Sequence, residues 1–159
     1  MPSETLVITP SAVPLFDPLG MSNTTFYPTA EQRSRLATAY AKNRNTGALE
    51  PVPPRPEFGP RDRPPQGNGG LYSTAPDYAR FCQMMLNKGE IGGKRILKPE
   101  TVKLMTENHI GGLTVSVDGT RPQAGAEAVR FGLDFAVYVD PKAAGLPYGA
   151  GTYYWGGAA

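Results

Sequence analysis

The sequence predicts an α+β fold, with helices in its first two thirds and antiparallel strands at its end. Three observations lead there. Apolar residues recur at helical spacing after Thr29, after Thr74 and after Pro99. Strict alternation appears only in the closing third, in "RFGLDFAVYVD", and an aromatic run precedes "GG" near the end. No strand alternates with a helix, as a parallel βαβ unit would require.

Residues 14 to 28, "PLFDPLGMSNTTFYP", read as loop and turn. Prolines recur, Gly20 can take a positive φ, and Asn23 and the two threonines favour side chain-to-backbone bonds. A helix follows. Thr29 with Gln32 three residues on forms a capping box, and "EQRSRLATAY" places Leu36, Ala39 and Tyr40 at helical spacing. From Glu50 to Pro65, "EPVPPRPEFGPRDRPP" is proline-dense and charged. Proline fixes φ and removes an amide donor, so neither a helix nor a central strand runs through it. An excursion of this length is either a functional loop or a linker.

In "GNGGLYSTAPDYARFCQMMLNKGE", Thr74 caps a helix, Pro76 suits its first turn and Asp77 sets a carboxylate at its amide-rich end. Tyr78, Phe81, Cys82, Met85 and Leu86 are expected on its core face, and Gly89 ends it. The next helix starts at Pro99, carries Val102, Leu104 and Met105, and closes near Asn108. His109 just beyond it is expected to bond the last carbonyls rather than a substrate. In the alternating run, Phe131, Leu133, Phe135, Val137 and Val139 point one way, and Asp140-Pro141 turns the chain. A glycine-rich loop then leads to "TYYWGG", and the two strands are expected to pair antiparallel.

Composition excludes several functions. Sixteen basic against 14 acidic residues give a net charge of +2 without a basic cluster, which offers nothing to nucleic acid or an anionic membrane. No stretch is apolar for long enough to span a bilayer. One cysteine, Cys82, forbids an internal disulfide and is expected to be a small buried apolar residue. With one histidine as well, no metal site or cofactor is expected. "MPSETLVITP" has neither the basic start nor the apolar run of a secretory signal, leaving compartment open with the cytoplasm as default. No Gly-x-Ser-x-Gly elbow, Walker loop or dinucleotide fingerprint occurs. Asp62, Asp77, Glu90 and Glu100 are isolated carboxylates with ordinary roles as caps or solvated charges.

Three stretches occur in a telling order: "FDPLGM" (Phe16 to Met21), "GGLYSTAPDYARF" (Gly69 to Phe81) and "YYWGGAA" (Tyr153 to Ala159). Together they resemble the serine β-lactamase-like superfamily, which includes class C β-lactamases, penicillin-binding proteins and family VIII esterases. "GEIGGKRILKPETVKLMTENH" is similar to the family's segment between the second and third stretches, with Lys98 where a serine is expected before Pro99. The resemblance runs over residues 16–159 and sets 1–15 apart as atypical. It implies a partial β-lactamase-like fold with an incomplete central sheet.

The resemblance also implies a site. The family acylates a serine in Ser-x-x-Lys, shuttles protons through a tyrosine motif and lines its pocket with a strand bearing Lys-Thr-Gly or Trp-Gly-Gly. Trp155, Gly156 and Gly157 match that third motif, and the amide of Ala158 would be an oxyanion donor, since small residues let a carbonyl reach a strand's amides. Gly69 and the proline-rich stretch would border the pocket. Tryptophan instead of lysine removes a cation suited to a β-lactam carboxylate and favours an ester. No serine in the chain is followed by lysine three residues later, and no tyrosine by asparagine or serine two later. The expectation is therefore a fragment of a serine hydrolase, inactive alone, whose intact form takes a small-molecule ester or β-lactam. The alternative is a non-catalytic module that pairs with a separate N-terminal piece. Unpaired strand edges and exposed apolar faces would favour such pairing, or self-association.

Overall fold

The computed structural model describes residues 15–53, 64–65, 69–114 and 126–156. The chain divides into two compact units, Met1–Gln83 and Met84–Ala159.

In the first unit, α1 (Phe16–Leu19) is a single helical turn. It ends because Gly20 adopts a left-handed φ of 66°, and the amides of Gly20 and Met21 return to the carbonyls of Asp17 and Phe16. Phe16, Leu19 and Met21 are buried there. The turn segment expected at 14–28 thus contains one short helix. α2 (Ala30–Ser34) carries the expected capping box: Thr29 Oγ1 accepts from the Gln32 amide at 3.2 Å, and Gln32 Oε1 accepts from the Thr29 amide at 2.9 Å. The helix stops six residues before the end of the apolar pattern. Leu36 is exposed, and Tyr40 opens a strand instead. The spacing of Leu36, Ala39 and Tyr40 had no buried surface to face, and propensity alone does not sustain so short a helix.

β1 (Tyr40–Lys42) and β2 (Leu49–Pro51) form an exposed antiparallel ribbon, with Tyr40 opposite Pro51 and Lys42 opposite Leu49. Asn43 builds its turn, accepting from the amides of Asn45 and Thr46 through Oδ1 and donating to Glu50 through Nδ2 at 2.8 Å. Of the proline-rich stretch, the end of β2 and residues 52–53 and 64–65 are among the described residues. Its positions 54–63 lie outside them.

Helix α3 (Ala75–Leu86) begins as expected, with Thr74 Oγ1 accepting from the Asp77 amide at 3.3 Å. Gly89 ends it at φ 92°, its amide returning to the Met84 carbonyl. The buried face differs from the expected one. Asp77, Met84 and Met85 are buried, whereas Tyr78, Cys82 and Leu86 are exposed. The periodicity was right and the face was rotated by about one residue position.

In the second unit, β3 (Glu90–Ile91) and β4 (Lys94–Arg95) make a tight hairpin fastened by the Arg95–Glu90 ion pair. α4 (Pro99–Thr106) starts on proline and buries Val102. It is two residues shorter than the spacing suggests, and Leu104 is exposed. After a 3₁₀ turn (Ala126–Ala128), the final sheet has the order β5 (Val129–Phe131), β6 (Ala136–Tyr138), β7 (Tyr153–Tyr154), antiparallel throughout.

The single strand expected over 130–139 is therefore a hairpin. Gly132 donates to Phe135 at 2.8 Å, and Asp134 supplies a positive φ of 70°. Leu133 falls in the turn and is half exposed, which is why the alternation did not continue through it. A Cβ on Gly132 would lie 2.1 Å from the Met105 carbonyl oxygen. The hairpin thus bends where strand and helix backbones meet, and only glycine permits that approach. The core of this unit holds Met84, Met85, Val102, Ala128, Val129, Ala136 and Val137. Burying either methionine contributes roughly 1.5–3 kcal/mol.

Candidate functional site

The sequence places its candidate site at the end of β7. That strand is delivered by a loop with fixed turns. Asp140 Oδ1 accepts from the Ala143 amide at 3.1 Å, and Leu146 donates to the Pro141 carbonyl at 2.9 Å. Tyr138 then receives the returning chain on both of its backbone groups, donating to Thr152 and accepting from Gly151, each at 2.8 Å. Gly151 is able to do this at φ 83°.

This pairing sets Ala136 opposite Tyr154 and Val137 opposite Tyr153. Side chains alternate across the sheet, so Tyr154 shares a face with Tyr138 and Tyr153 takes the other. On the first face Tyr138 stacks on Tyr154 (4.9 Å between centroids, 15° between planes) and on Tyr148 (5.2 Å, 25°). On the second, Tyr153 meets Phe135 edge-on at 5.2 Å. A hydrogen bond to the Tyr154 side chain holds the Tyr138 phenol above its ordinary value, with burial and charge repulsion from Tyr154 adding to the shift. This tyrosine stack was not anticipated. The signal was available, because antiparallel pairing of "AVY" with "TYY" puts tyrosines on a common face.

Trp155 leaves the strand with its ring edge-on to Phe131 (5.2 Å, 82°) and 60% exposed. Gly156 is exposed, and a Cβ there would meet nothing within 4 Å. No described neighbour requires glycine at that position. Gly157 and Ala158, the remaining members of the motif, lie outside the described residues. Gly69 belongs to the first unit, is exposed, and likewise has open space where a Cβ would stand.

Two other titratable candidates, Asp77 and His109, have hydrogen-bond partners, and Asp62 lies outside the described residues. Asp77 accepts from the Asn23 amide at 2.8 Å and from Thr24 Oγ1 at 3.0 Å, and Thr24 Oγ1 lies 2.8 Å from Ser73 Oγ. Its carboxylate binds the turn after α1 rather than serving only the helix end, a long-range role that spacing does not reveal. Arg80, one helical turn on, donates to the Leu19 carbonyl at 2.5 Å. His109 behaves as expected: Nε2 is 2.7 Å from the Leu104 carbonyl, in the last turn of α4, and its amide donates to Phe131 at 2.8 Å. Cys82 is an exposed thiol, not the buried apolar residue expected, because it lies outside the buried arc of α3. Among the described residues no group of three acidic, histidine or cysteine side chains could hold a metal ion, and no helix is long and apolar enough to cross a membrane.

Residues 14–159 match the family model described as beta-lactamase. The chain belongs to the beta-lactamase family. Over 149 residues, this beta-lactamase-family chain is 36% identical to two Mycobacterium tuberculosis proteins, "Uncharacterized protein MT1414" of strain CDC 1551 / Oshkosh and "Protein Rv1367c" of strain ATCC 25618 / H37Rv. The match covers 89% of this chain and 35% of each relative. Among solved structures it is similar to "EstCE1, a hydrolase with promiscuous acyltransferase activity", at 30% identity and a TM-score of 0.62. That likeness covers 90% of this chain and 38% of EstCE1. The chain thus spans about a third of the length of the relatives it matches. Its α+β arrangement of helices and small antiparallel sheets is a partial β-lactamase-like fold within the serine β-lactamase-like superfamily.

Proposed function

We propose that this chain supplies the oxyanion-side wall of a serine acyl hydrolase, preferring an ester to a β-lactam. The reading is carried by Trp155-Gly156, which leaves β7 with an exposed indole and an unobstructed backbone. An approaching acyl carbonyl would lie against the strand end and take the amide of Ala158, while the indole offers an apolar surface instead of a cation. EstCE1 is described as a hydrolase with acyltransferase activity, which supports acyl-group chemistry. Acyl transfer in this superfamily proceeds through an acylated serine that water then releases, which needs a nucleophile and its base. The 159 residues contain no serine followed by lysine at the third position. We therefore infer that the chain alone is inactive and that the nucleophile comes from additional polypeptide of the same family.

The assay uses the purified chain with a short-chain nitrophenyl ester and a chromogenic cephalosporin. It is then repeated after co-expression with the part of a family member that carries Ser-x-x-Lys. The expected result is no turnover alone and ester hydrolysis after pairing. Turnover by the chain alone would refute the assignment of the nucleophile elsewhere, and turnover of the cephalosporin in preference to the ester would refute the role given to Trp155.

A further inference from the structure

The phenols of the last sheet are arranged for chemistry of their own. Tyr148, Tyr138 and Tyr154 form a continuous stack within the second unit, with Tyr138 in the middle. The Tyr138–Tyr154 half is the tighter one, at 4.9 Å between centroids and 15° between planes, against 5.2 Å and 25° for Tyr148. Both of its rings stand on paired strands, β6 and β7, whereas Tyr148 comes from the loop between them. A side-chain hydrogen bond joins Tyr138 to Tyr154. That bond brings the hydroxyl ends together, and with them the carbons ortho to each oxygen, where a phenoxyl radical carries much of its unpaired spin. An oxidant can reach both ends of the stack, since Tyr148 is 51% and Tyr154 38% exposed. Tyr78 is more open, at 59%, but rests on Phe81, a ring that forms no phenoxyl radical.

We propose that Tyr138 and Tyr154 form an oxidative cross-linking site, at which a peroxidase with hydrogen peroxide joins β6 to β7 through a dityrosine bond. Each phenol gives up one electron and one proton. The two radicals form a carbon–carbon bond between ortho positions, and the ring hydrogens at those carbons move to the oxygens, restoring both phenols. The peroxide takes up the two electrons and two protons and leaves as two molecules of water. The held pair couples within one molecule because its effective concentration far exceeds that of a second chain. Like a disulfide, the bond closes the loop between its residues and constrains the unfolded chain. It also ties the strand that leads into Trp155 and Gly156 to its neighbour. Such a bond forms whether or not the chain takes part in ester hydrolysis.

The purified chain is treated with a haem peroxidase and hydrogen peroxide at low chain concentration, then cut with trypsin. Cleavage after Arg130 and Lys142 puts Tyr138 and Tyr154 in different peptides, 131–142 and 143–159, which stay joined only through a new covalent bond. The expected product is a monomer lighter by two hydrogens, with dityrosine fluorescence and those two peptides linked. Its yield should not change with chain concentration, and should fall by about tenfold or more in Tyr154→Phe, which keeps the ring and removes the phenol. Tyr148→Phe and Tyr153→Phe, at the other tyrosines of the second peptide, should leave the link in place. A link that persists in Tyr154→Phe would overturn the proposal, as would linkage only between chains or no linkage at all. Oxygen added to the exposed indole of Trp155 without joined peptides would overturn it as well.

Discussion

The buried carboxylate of Asp77 holds Thr24 by its hydroxyl, at 3.0 Å, across 53 positions of sequence. The same carboxylate takes the Asn23 amide, so one side chain joins the first turn of α3 to the segment after α1. Asp77→Ala would leave the Thr24 hydroxyl and the Asn23 amide without this acceptor, and should lower the unfolding free energy by about 3 kcal/mol. Asp77→Asn keeps an oxygen that can accept both bonds and should cost about half as much. Urea titration of the two variants beside the parent measures the difference, and equal losses would mean that the carboxylate's negative charge, rather than an accepting oxygen in that place, is what matters.

Gly132 and Gly89 stand where two backbones touch. A Cβ at Gly132 would press on the Met105 carbonyl at 2.1 Å, and one at Gly89 on the Leu97 carbonyl at 2.2 Å. Gly132→Ala should cost on the order of 2–3 kcal/mol, because neither backbone can rotate away as a side chain would. Gly89→Ala adds the strain of φ 92° and should cost at least as much. Thermal unfolding provides the check.

At Gly156 the opposite is expected. With open space around its Cα, Gly156→Ala should change stability by less than about 0.5 kcal/mol. In the paired, ester-hydrolysing form it should nevertheless reduce turnover, since a methyl group would stand where a substrate carbonyl comes in. Unchanged turnover with unchanged stability would show that no substrate passes there.

The stacked phenols make a prediction about alkaline pH. The Tyr154 hydrogen bond raises the Tyr138 phenol above the ordinary value of 10.0, so the folded state favours the neutral form. That stabilisation is fully present below the unfolded value, and it is lost as pH rises from there through the folded value. Tyr154→Phe should lower the midpoint of Tyr138 ionisation, followed by phenolate absorbance, and flatten the fall in stability above pH 10. An unmoved midpoint would assign the shift to burial instead.

How much of this could be read in advance depended on how far apart the partners lie. Local signals were legible: the Thr29–Gln32 capping box, the proline start of α4, the Gly89 stop and the bond from His109 to the end of its helix are all made by residues within a few positions of each other. What the pattern left undetermined were the choices made by distant packing. The arc that α3 buries at its start is set by the 19–24 turn, so Asp77 went in and Tyr78, expected on the buried face, stayed out. The run from Phe131 to Val139 alternates well enough for one strand, yet the approach of Gly132 to Met105 bends it into two. The candidate site was legible only as a motif. Its aromatic surroundings come from strand register, which fixes faces but is itself fixed by the loop that brings β7 home.

Trp155 is the only tryptophan in the chain, and it projects from the last described turn of backbone with its indole mostly in water. The molecule therefore carries its own fluorophore at the strand end proposed above to receive an acyl substrate. Excitation of the nearby phenols can be passed to this single indole, and its emission will shift to shorter wavelength when water leaves it. Occupancy of the strand end can thus be followed optically in the unmodified chain, before any turnover is measured.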